Sequence, residues 1–181
     1  IDEIENILNT IDLIASNYKK NSEVNKLNFY KINEEFFLSN DLYEIFKIAF
    51  DVSGKTNGIY DITVGSVVNN LGFGPDLFLE NQYVFEPYSE KFLFNQNNKS
   101  ITKLKDTVFD LSSVAKGYAV DAISNYLLAN NFNNYLIDIV YLDKDLLKSN
   151  LILLNIKNKV SSYYQTIKLT EDNIKLIQAK F

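Results

Sequence analysis

A helical segment between two apolar runs, residues 107–139, constrains the fold of this chain more than any other feature. The run "TVFDL" at 107–111 leads directly into "SSVAKGYAVDAISNYLLANN", and "NNYLIDI" follows at 133–139. Short apolar runs on both sides of a helical stretch are typical of a strand, helix, strand unit. The sequence therefore predicts a mixed fold of the α+β (mixed α/β) class, in which helices pack on a sheet.

The first turns of this helix contain Lys116, Gly117 and Tyr118. A glycine inside a helix costs roughly 1 kcal/mol relative to alanine, which suggests that a ligand approaches the backbone there. Ser112 and Ser113 stand where the helix should begin, and a serine hydroxyl commonly caps free amides. The free amides and the positive end of the helix dipole also suit a phosphate group. Both interpretations, a structural cap and a phosphate site, remain open from the residues alone.

Composition limits the chemistry. The chain has no Cys and no His, which excludes disulfides, zinc–thiolate sites and the commonest general base. Any metal must be bound through oxygen, which favours magnesium or calcium. The 18 basic residues are all lysines, do not cluster and are outnumbered by 23 acidic ones, so we do not expect a nucleic-acid partner. No apolar run is long enough to span a membrane, although a removed N-terminal signal or anchor would leave no trace.

Length and periodicity predict the remaining organisation. The 181 residues, 46% of them hydrophobic, favour a single domain over residues 1–181. Residues 3–19 and 40–53 place apolar side chains at helical spacing, Tyr18 included, and the second helix is expected to stop at Gly54. The stretch "KNSEVNKLN", residues 20–28, is predicted to be a loop.

Three elements are expected in the rest of the chain. Residues 91–104 predict a hairpin around an Asn-rich turn, and residues 161–181 predict another that turns at "TEDN". A helix is expected from Leu142 to about Lys157.

The segment "KTNGIYDITVGSVVNNLGFGPD", residues 55–76, contains four of the six glycines and predicts an irregular, tightly turned region. Irregular segments held by a scaffold often carry function. The Tyr60 ring could lie against a flat heterocycle, and the Asp61 carboxylate could accept hydrogen bonds from the NH groups of that heterocycle. The alternative is structural, with Tyr60 in the core and Asp61 capping a turn.

Two segments together resemble a known family. "SGKTNGIYDITVGSVVNNLGFG" and "DLSSVAKGYAVDAISNYL", in this order and with a hairpin between them, closely resemble the signature segments of the ApbE family, the FAD:protein FMN transferases. The upstream "NSEVNKLN" is similar to that family's Ser-Glu-x-x-x-x-Asn loop. The resemblance runs almost continuously over residues 1–139 and implies an ApbE-like flavin transferase fold.

The resemblance implies a cofactor site and a metal site. The residues implied to contact FAD are Ile59, Tyr60, Asp61, Ser112 and Tyr118. The implied Mg²⁺ ligands are the Ala115 carbonyl, Asp145 and Ser149. The last two match an Asp and a Thr that lie four residues apart on a later helix in the family. Residues four apart project from one helix face, so both oxygens could reach one ion.

The reaction implied by the resemblance is Mg²⁺-dependent transfer of FMN from FAD to a threonine hydroxyl of an acceptor flavoprotein, with release of AMP. Two alternatives stay open. The chain could be a relative that binds FAD without catalysis, or a pyrophosphatase that splits FAD into FMN and AMP. The sequence singles out no general base.

The pattern departs from the family after Ile139. There the family normally has a long stretch with a Gly-Gly-Asp-like turn and a His-Ile-Leu-Asp-Pro-like segment near the flavin, and neither is in this sequence. We therefore expect that the chain joins two parts of a longer pattern near residues 139–140, and that transfer depends on the intervening stretch. The resemblance also implies an extracytoplasmic location, periplasmic or at the cell surface, with membrane attachment only through a lipid anchor on a removed N-terminal segment.

Overall fold

The computed structural model describes residues 2–75, 86–135, 137–140, 151–154, 163–170 and 173–180. The chain divides into two compact units, residues 2–115 and residues 116–181. The single domain expected over the whole chain stays a prediction. Within the described ranges, no helix is long and apolar enough to cross a membrane.

In its described residues, 2–75 and 86–115, the first unit combines five helices with a small antiparallel sheet. Its helices are α1 Asp2–Ala15, α2 Glu23–Asn28, α3 Asn40–Lys55, α4 Gly65–Asn70 and α5 Tyr88–Lys91. Its strands are β1 Glu35–Phe37, β2 Phe92–Asn95 and β3 Ser100–Lys103, in the order β1-β3-β2. The hairpin predicted at 91–104 is confirmed, because β2 and β3 pair in antiparallel register with Phe94 opposite Ile101.

Helix α3 continues through Gly54, so the expected stop at that residue is wrong. Gly54 is exposed, and a glycine in a helix lowers its stability by only roughly 1 kcal/mol relative to alanine. The helix ends instead at a left-handed turn, in which Gly58 has φ +80° and its amide bonds the Ser53 carbonyl at 2.8 Å. Such a conformation favours glycine and is a common way to end a helix.

The loop expected at residues 20–28 is also wrong over most of its length. Ser22 caps α2 by accepting a hydrogen bond from the Asn25 amide at 3.2 Å, and Val24 and Leu27 are fully buried. A helix of six residues is too short to show a clear apolar period in the sequence.

An aromatic cluster forms much of the core of the first unit. Phe46 of α3 packs edge-on against Phe109 at 5.2 Å between ring centroids, and Phe92 of β2 does the same at 5.0 Å. Phe50 stacks on Phe94 at 4.7 Å. Edge-to-face and offset pairs of this kind add stabilisation beyond the area they bury. The cluster anchors Phe109, three residues before the next helix.

The strand expected at "TVFDL" is reduced to one residue. Val108 forms an isolated parallel bridge with Val64, and residues 109–111 belong to no ladder. Helix α6, Ser112–Ala129, begins directly afterwards, as the sequence predicts, and buries Ala119, Ile123 and Leu127 along one face.

The described part of the second unit contains most of α6 and an antiparallel sheet of four strands. They are β4 Ile137–Val140, β5 Leu151–Leu154, β6 Tyr163–Thr170 and β7 Asn173–Lys180, in sequential order. The terminal hairpin is confirmed, with β6 and β7 paired from Tyr163 opposite Lys180 to Thr170 opposite Asn173. Strand β4 runs without interruption across residues 139–140.

The helix expected from Leu142 to about Lys157 is wrong at β5. An apolar run such as "LILL" fits a buried strand and a buried helix equally well by periodicity alone. Residues 151–154 form a strand because they pair with β4 on one side and with β6 on the other. Asp145 and Ser149 lie outside the described residues.

Candidate functional site

The two glycine-marked segments lie side by side in the first unit. The Asp110 amide donates to the Ile62 carbonyl at 2.7 Å, and the Gly65 amide donates to the Val108 carbonyl at 3.2 Å. A Cβ atom on Gly65 would lie 2.6 Å from Val108 Cγ1 and 2.9 Å from the Val108 carbonyl oxygen. Residue 65 must therefore be glycine for the segments to approach this closely.

Tyr60 connects the turn at 58–63 to the start of α6. Its hydroxyl lies 2.8 Å from the Ser113 hydroxyl, within hydrogen-bonding distance, and its amide donates to Thr56 Oγ1 at 3.0 Å. Burial raises the pKa of Tyr60, the Ser113 hydrogen bond opposes this shift, and the nearby charge of Asp110 adds to it. Tyr60 is therefore an uncharged, half-buried ring with a positioned hydroxyl at neutral pH.

Tyr88 holds the same turn from the core side. Its hydroxyl accepts a hydrogen bond from the Ile62 amide at 2.9 Å and donates to the Tyr60 carbonyl at 3.3 Å. Its ring packs 5.2 Å from Phe50 and 5.2 Å from Phe92. Burial raises the pKa of Tyr88 to about 12. The turn is thus fastened to the aromatic cluster by an uncharged phenol.

Asp61 makes its contacts inside the protein. Oδ1 accepts from the Thr63 amide at 2.7 Å and from the Thr63 hydroxyl at 2.6 Å, and Oδ2 lies 3.1 Å from Lys91 Nζ. The side chains of Asp61 and Lys91 are only 5% and 7% exposed. These contacts fit the turn-capping interpretation, and a direct contact of the carboxylate with a ligand stays a prediction.

The start of α6 faces this turn. Ser112 is its first residue, and the Ser112 amide donates to Asp110 Oδ1 at 2.8 Å. Asp110, which the sequence did not single out, therefore accepts a hydrogen bond from the first amide of the helix. Further along, a Cβ added to Gly117 would meet no atom of the described chain within 4 Å. Among the described residues, then, nothing fills the space beside this glycine. The approach of a ligand to its backbone stays a prediction.

Comparison with known proteins decides the family. Residues 1–144 match the sequence profile of the ApbE family. The chain belongs to the ApbE family. An FAD:protein FMN transferase of Haemophilus influenzae is 33% identical over 150 residues, and one of Vibrio cholerae is 30% identical over 144 residues. Each alignment covers 76% of this chain and 43% of the relative, so the chain spans less than half the length of these curated relatives.

Solved structures confirm the α+β class. The flavin transferase ApbE from Vibrio cholerae matches 98% of this chain and 57% of that protein, with a TM-score of 0.67 and 26% identity. The ApbE protein from Thermotoga maritima, at 23% identity and a TM-score of 0.60, shares the fold. This chain is accordingly an ApbE fold of shorter length than its relatives.

The residues that the ApbE resemblance singles out are only partly described. Ile59 is 85% exposed, Tyr60, Ala115 and Tyr118 are half-buried, and Ser112 is exposed. The structure brings Tyr60 to the serine that follows Ser112. The assignments of Asp145 and Ser149 as metal ligands stay untested, because both residues lie outside the described ranges.

Sequence reasoning missed several residues around the site. Lys91 and Tyr88 touch the turn from 26 to 30 positions away along the chain, and no local pattern marks them. Tyr18 was expected on the packing face of α1. Instead it lies beyond the end of that helix, is 55% exposed and donates its hydroxyl to the Phe73 carbonyl at 2.6 Å.

Proposed function

We propose that the protein binds FAD beside Tyr60 and transfers the FMN part to a threonine hydroxyl of an acceptor flavoprotein, releasing AMP. The observation that carries the proposal is the 2.8 Å contact between the Tyr60 and Ser113 hydroxyls. It joins the two segments by which the chain resembles the ApbE family. The relatives named FAD:protein FMN transferase, at 30% and 33% identity, support the same reading.

The proposed roles follow from exposure and charge. An uncharged tyrosine ring at position 60 can lie against the flat flavin, since its raised pKa keeps it neutral. Ile59 offers an apolar surface next to it, being 85% exposed. Ser112 and Tyr118 are further proposed contacts of the cofactor. Asp61 acts by shaping the turn, because its carboxylate is engaged by Thr63 and Lys91.

Magnesium is the proposed metal. A carbonyl oxygen from Ala115, a carboxylate from Asp145 and a hydroxyl from Ser149 are donor types that Mg²⁺ accepts alongside substrate phosphates. In the part of the chain that the structure describes, no three His, Cys, Asp or Glu residues cluster. When bound, the ion would neutralise charge that develops on the phosphates during transfer.

Two other functions compete with transfer. A pyrophosphatase would use the same site to release FMN and AMP, and a relative without catalysis would bind FAD unchanged. Analysis of the products after incubation with FAD and magnesium, with and without an acceptor, separates the three functions.

We also propose an extracytoplasmic location with a lipid anchor, on the basis of the family resemblance.

Binding itself is tested by titrating flavin fluorescence with Tyr60 variants. Tyr60→Ala removes the ring and should weaken FAD binding by roughly 1 kcal/mol, about fivefold. Tyr60→Phe keeps the ring, loses only the hydroxyl contact with Ser113 and should bind FAD more tightly than the alanine variant. Equal affinity of wild type and Tyr60→Ala would remove Tyr60 from the site.

A further inference from the structure

Three buried asparagines form a polar network behind the site. They are Asn17, which follows α1, and Asn25 and Asn28 of α2, with exposed fractions of 6%, 1% and 2%. Asn28 Nδ2 donates to Asn25 Oδ1 at 3.3 Å, and Asn25 Nδ2 donates to the Asn17 carbonyl at 2.7 Å. Lys103 Nζ donates to the Asn28 carbonyl at 2.6 Å, which ties α2 to the end of β3. Polar groups this deeply buried are stable only when they have such partners.

The network ends on the segment before α6, mainly on Phe109 and also on the Leu111 amide, which donates to Asn17 Oδ1 at 3.5 Å. Asn28 Oδ1 accepts from the Phe109 amide at 2.8 Å, while Asn28 Nδ2 donates to the Phe109 carbonyl at 3.0 Å. Asn17 Nδ2 donates to the same carbonyl at 2.7 Å. The side-chain amide of Asn28 thus bonds both backbone groups of Phe109, as a neighbouring strand would.

The opposite edge of this segment carries the site. Val108 and Asp110, on either side of Phe109, bond the backbone of Gly65 and Ile62. Alternate backbone groups of an extended segment point to opposite edges. Asparagine side chains therefore bond one edge of the segment, and the turn that contains Tyr60 bonds the other edge.

We infer that Asn28, assisted by Asn17, is a positioning residue that sets where α6 begins and so places Ser113 against Tyr60. The inference rests on the proposed function, because the ligand of the positioned site is FAD. Asn28 lies 81 residues before Phe109 in the chain and touches no residue implied to contact the cofactor. It acts only through the backbone of Phe109.

The alternative is that the network merely stabilises the fold. Asn28→Leu keeps a similar side-chain volume and removes both bonds to Phe109. Asn17→Leu removes the bond to the Phe109 carbonyl and the 3.5 Å bond from the Leu111 amide but leaves both Asn28 bonds to Phe109 in place. It is the milder variant, available if Asn28→Leu does not fold. Ile45→Ala, at a fully buried position of α3, is a control that loses stability without touching residues 109–115 through any of these bonds.

The test combines FAD titration of the full-length protein with hydrogen–deuterium exchange over residues 109–115. We expect Asn28→Leu to lower FAD affinity at least about tenfold and to speed exchange in this segment, because small displacements of a binding group are costly. Asn17→Leu should do both to a lesser degree. Ile45→Ala should change neither at a temperature where all variants are folded.

Two results would overturn the inference. One is an equal loss of affinity in Ile45→Ala and Asn28→Leu, since the loss would then follow stability alone. The other is unchanged exchange over residues 109–115 in Asn28→Leu, or in Asn17→Leu if the first variant does not fold. If wild type itself does not bind FAD, the proposed function fails, and exchange alone decides whether Asn28 positions this segment.

Discussion

Two glycines show how differently one residue type serves this site. Gly65 is required because the chain itself leaves no room, as Val108 occupies the position that a Cβ would take. Gly117 has open space around it and an ordinary helical backbone, so nothing in the described chain requires glycine there. The requirement at Gly117 is therefore expected to come from the ligand.

Alanine at these two positions should have opposite effects. Gly65→Ala forces the paired segments apart and should lower the free energy of unfolding by roughly 1–3 kcal/mol, as overpacking does. Gly117→Ala should raise it by up to about 1 kcal/mol, from better helix propensity, yet weaken FAD binding. Chemical denaturation and flavin titration measure the two quantities. If Gly117→Ala binds FAD as tightly as wild type, the ligand does not approach this backbone.

At the scale of elements, the turn at 58–63 owes its position to partners that are distant in sequence. Lys91 at the end of α5 meets both Asp61 and Thr63, with Nζ 2.7 Å from the Thr63 hydroxyl. This buried contact contrasts with the ion pair between Lys55 and Asp51 on the surface of α3, whose side chains are 72% and 60% exposed. The two pairs therefore offer a matched comparison.

Removing the lysine from each pair should show how much each pair contributes to the free energy of unfolding. Lys91→Met removes a buried, positively charged partner of the Asp61 carboxylate and should cost about 3 kcal/mol of unfolding free energy. Lys55→Met breaks an exposed pair at i, i+4 spacing and should cost only about 0.3–0.5 kcal/mol. Urea denaturation of both variants gives the difference. Similar costs for the two would mean that the buried pair does not fasten the turn.

The sequence predicts elements well where a local pattern decides them. Both hairpins follow from alternating runs around polar turns, and the start of α6 follows from its serines and apolar spacing. Helix α2 was missed because it is short, and β5 because an apolar run does not distinguish strand from helix. Within the site, Tyr60 and Asp61 are marked by the glycines around them. Lys91, Tyr88 and Asn28 could not be predicted, since their roles depend on contacts across 26 to 81 positions of the chain.

At the scale of the whole molecule, membership of the ApbE family and the α+β fold rest on more than one observation. The sequence profile matches over residues 1–144, and the fold matches a flavin transferase with a TM-score of 0.67. The alignments nevertheless cover only 43% of the Haemophilus influenzae and Vibrio cholerae transferases.

Covalent labelling of an acceptor tests the proposed function most directly. The full-length protein is incubated with FAD, magnesium and an acceptor domain bearing the target threonine, and the products are separated on a denaturing gel. We predict a fluorescent acceptor that is heavier by one FMN, with no label when that threonine is replaced by alanine or when magnesium is chelated. An acceptor that stays unlabelled, while FAD is recovered intact or as free FMN and AMP, would contradict transfer.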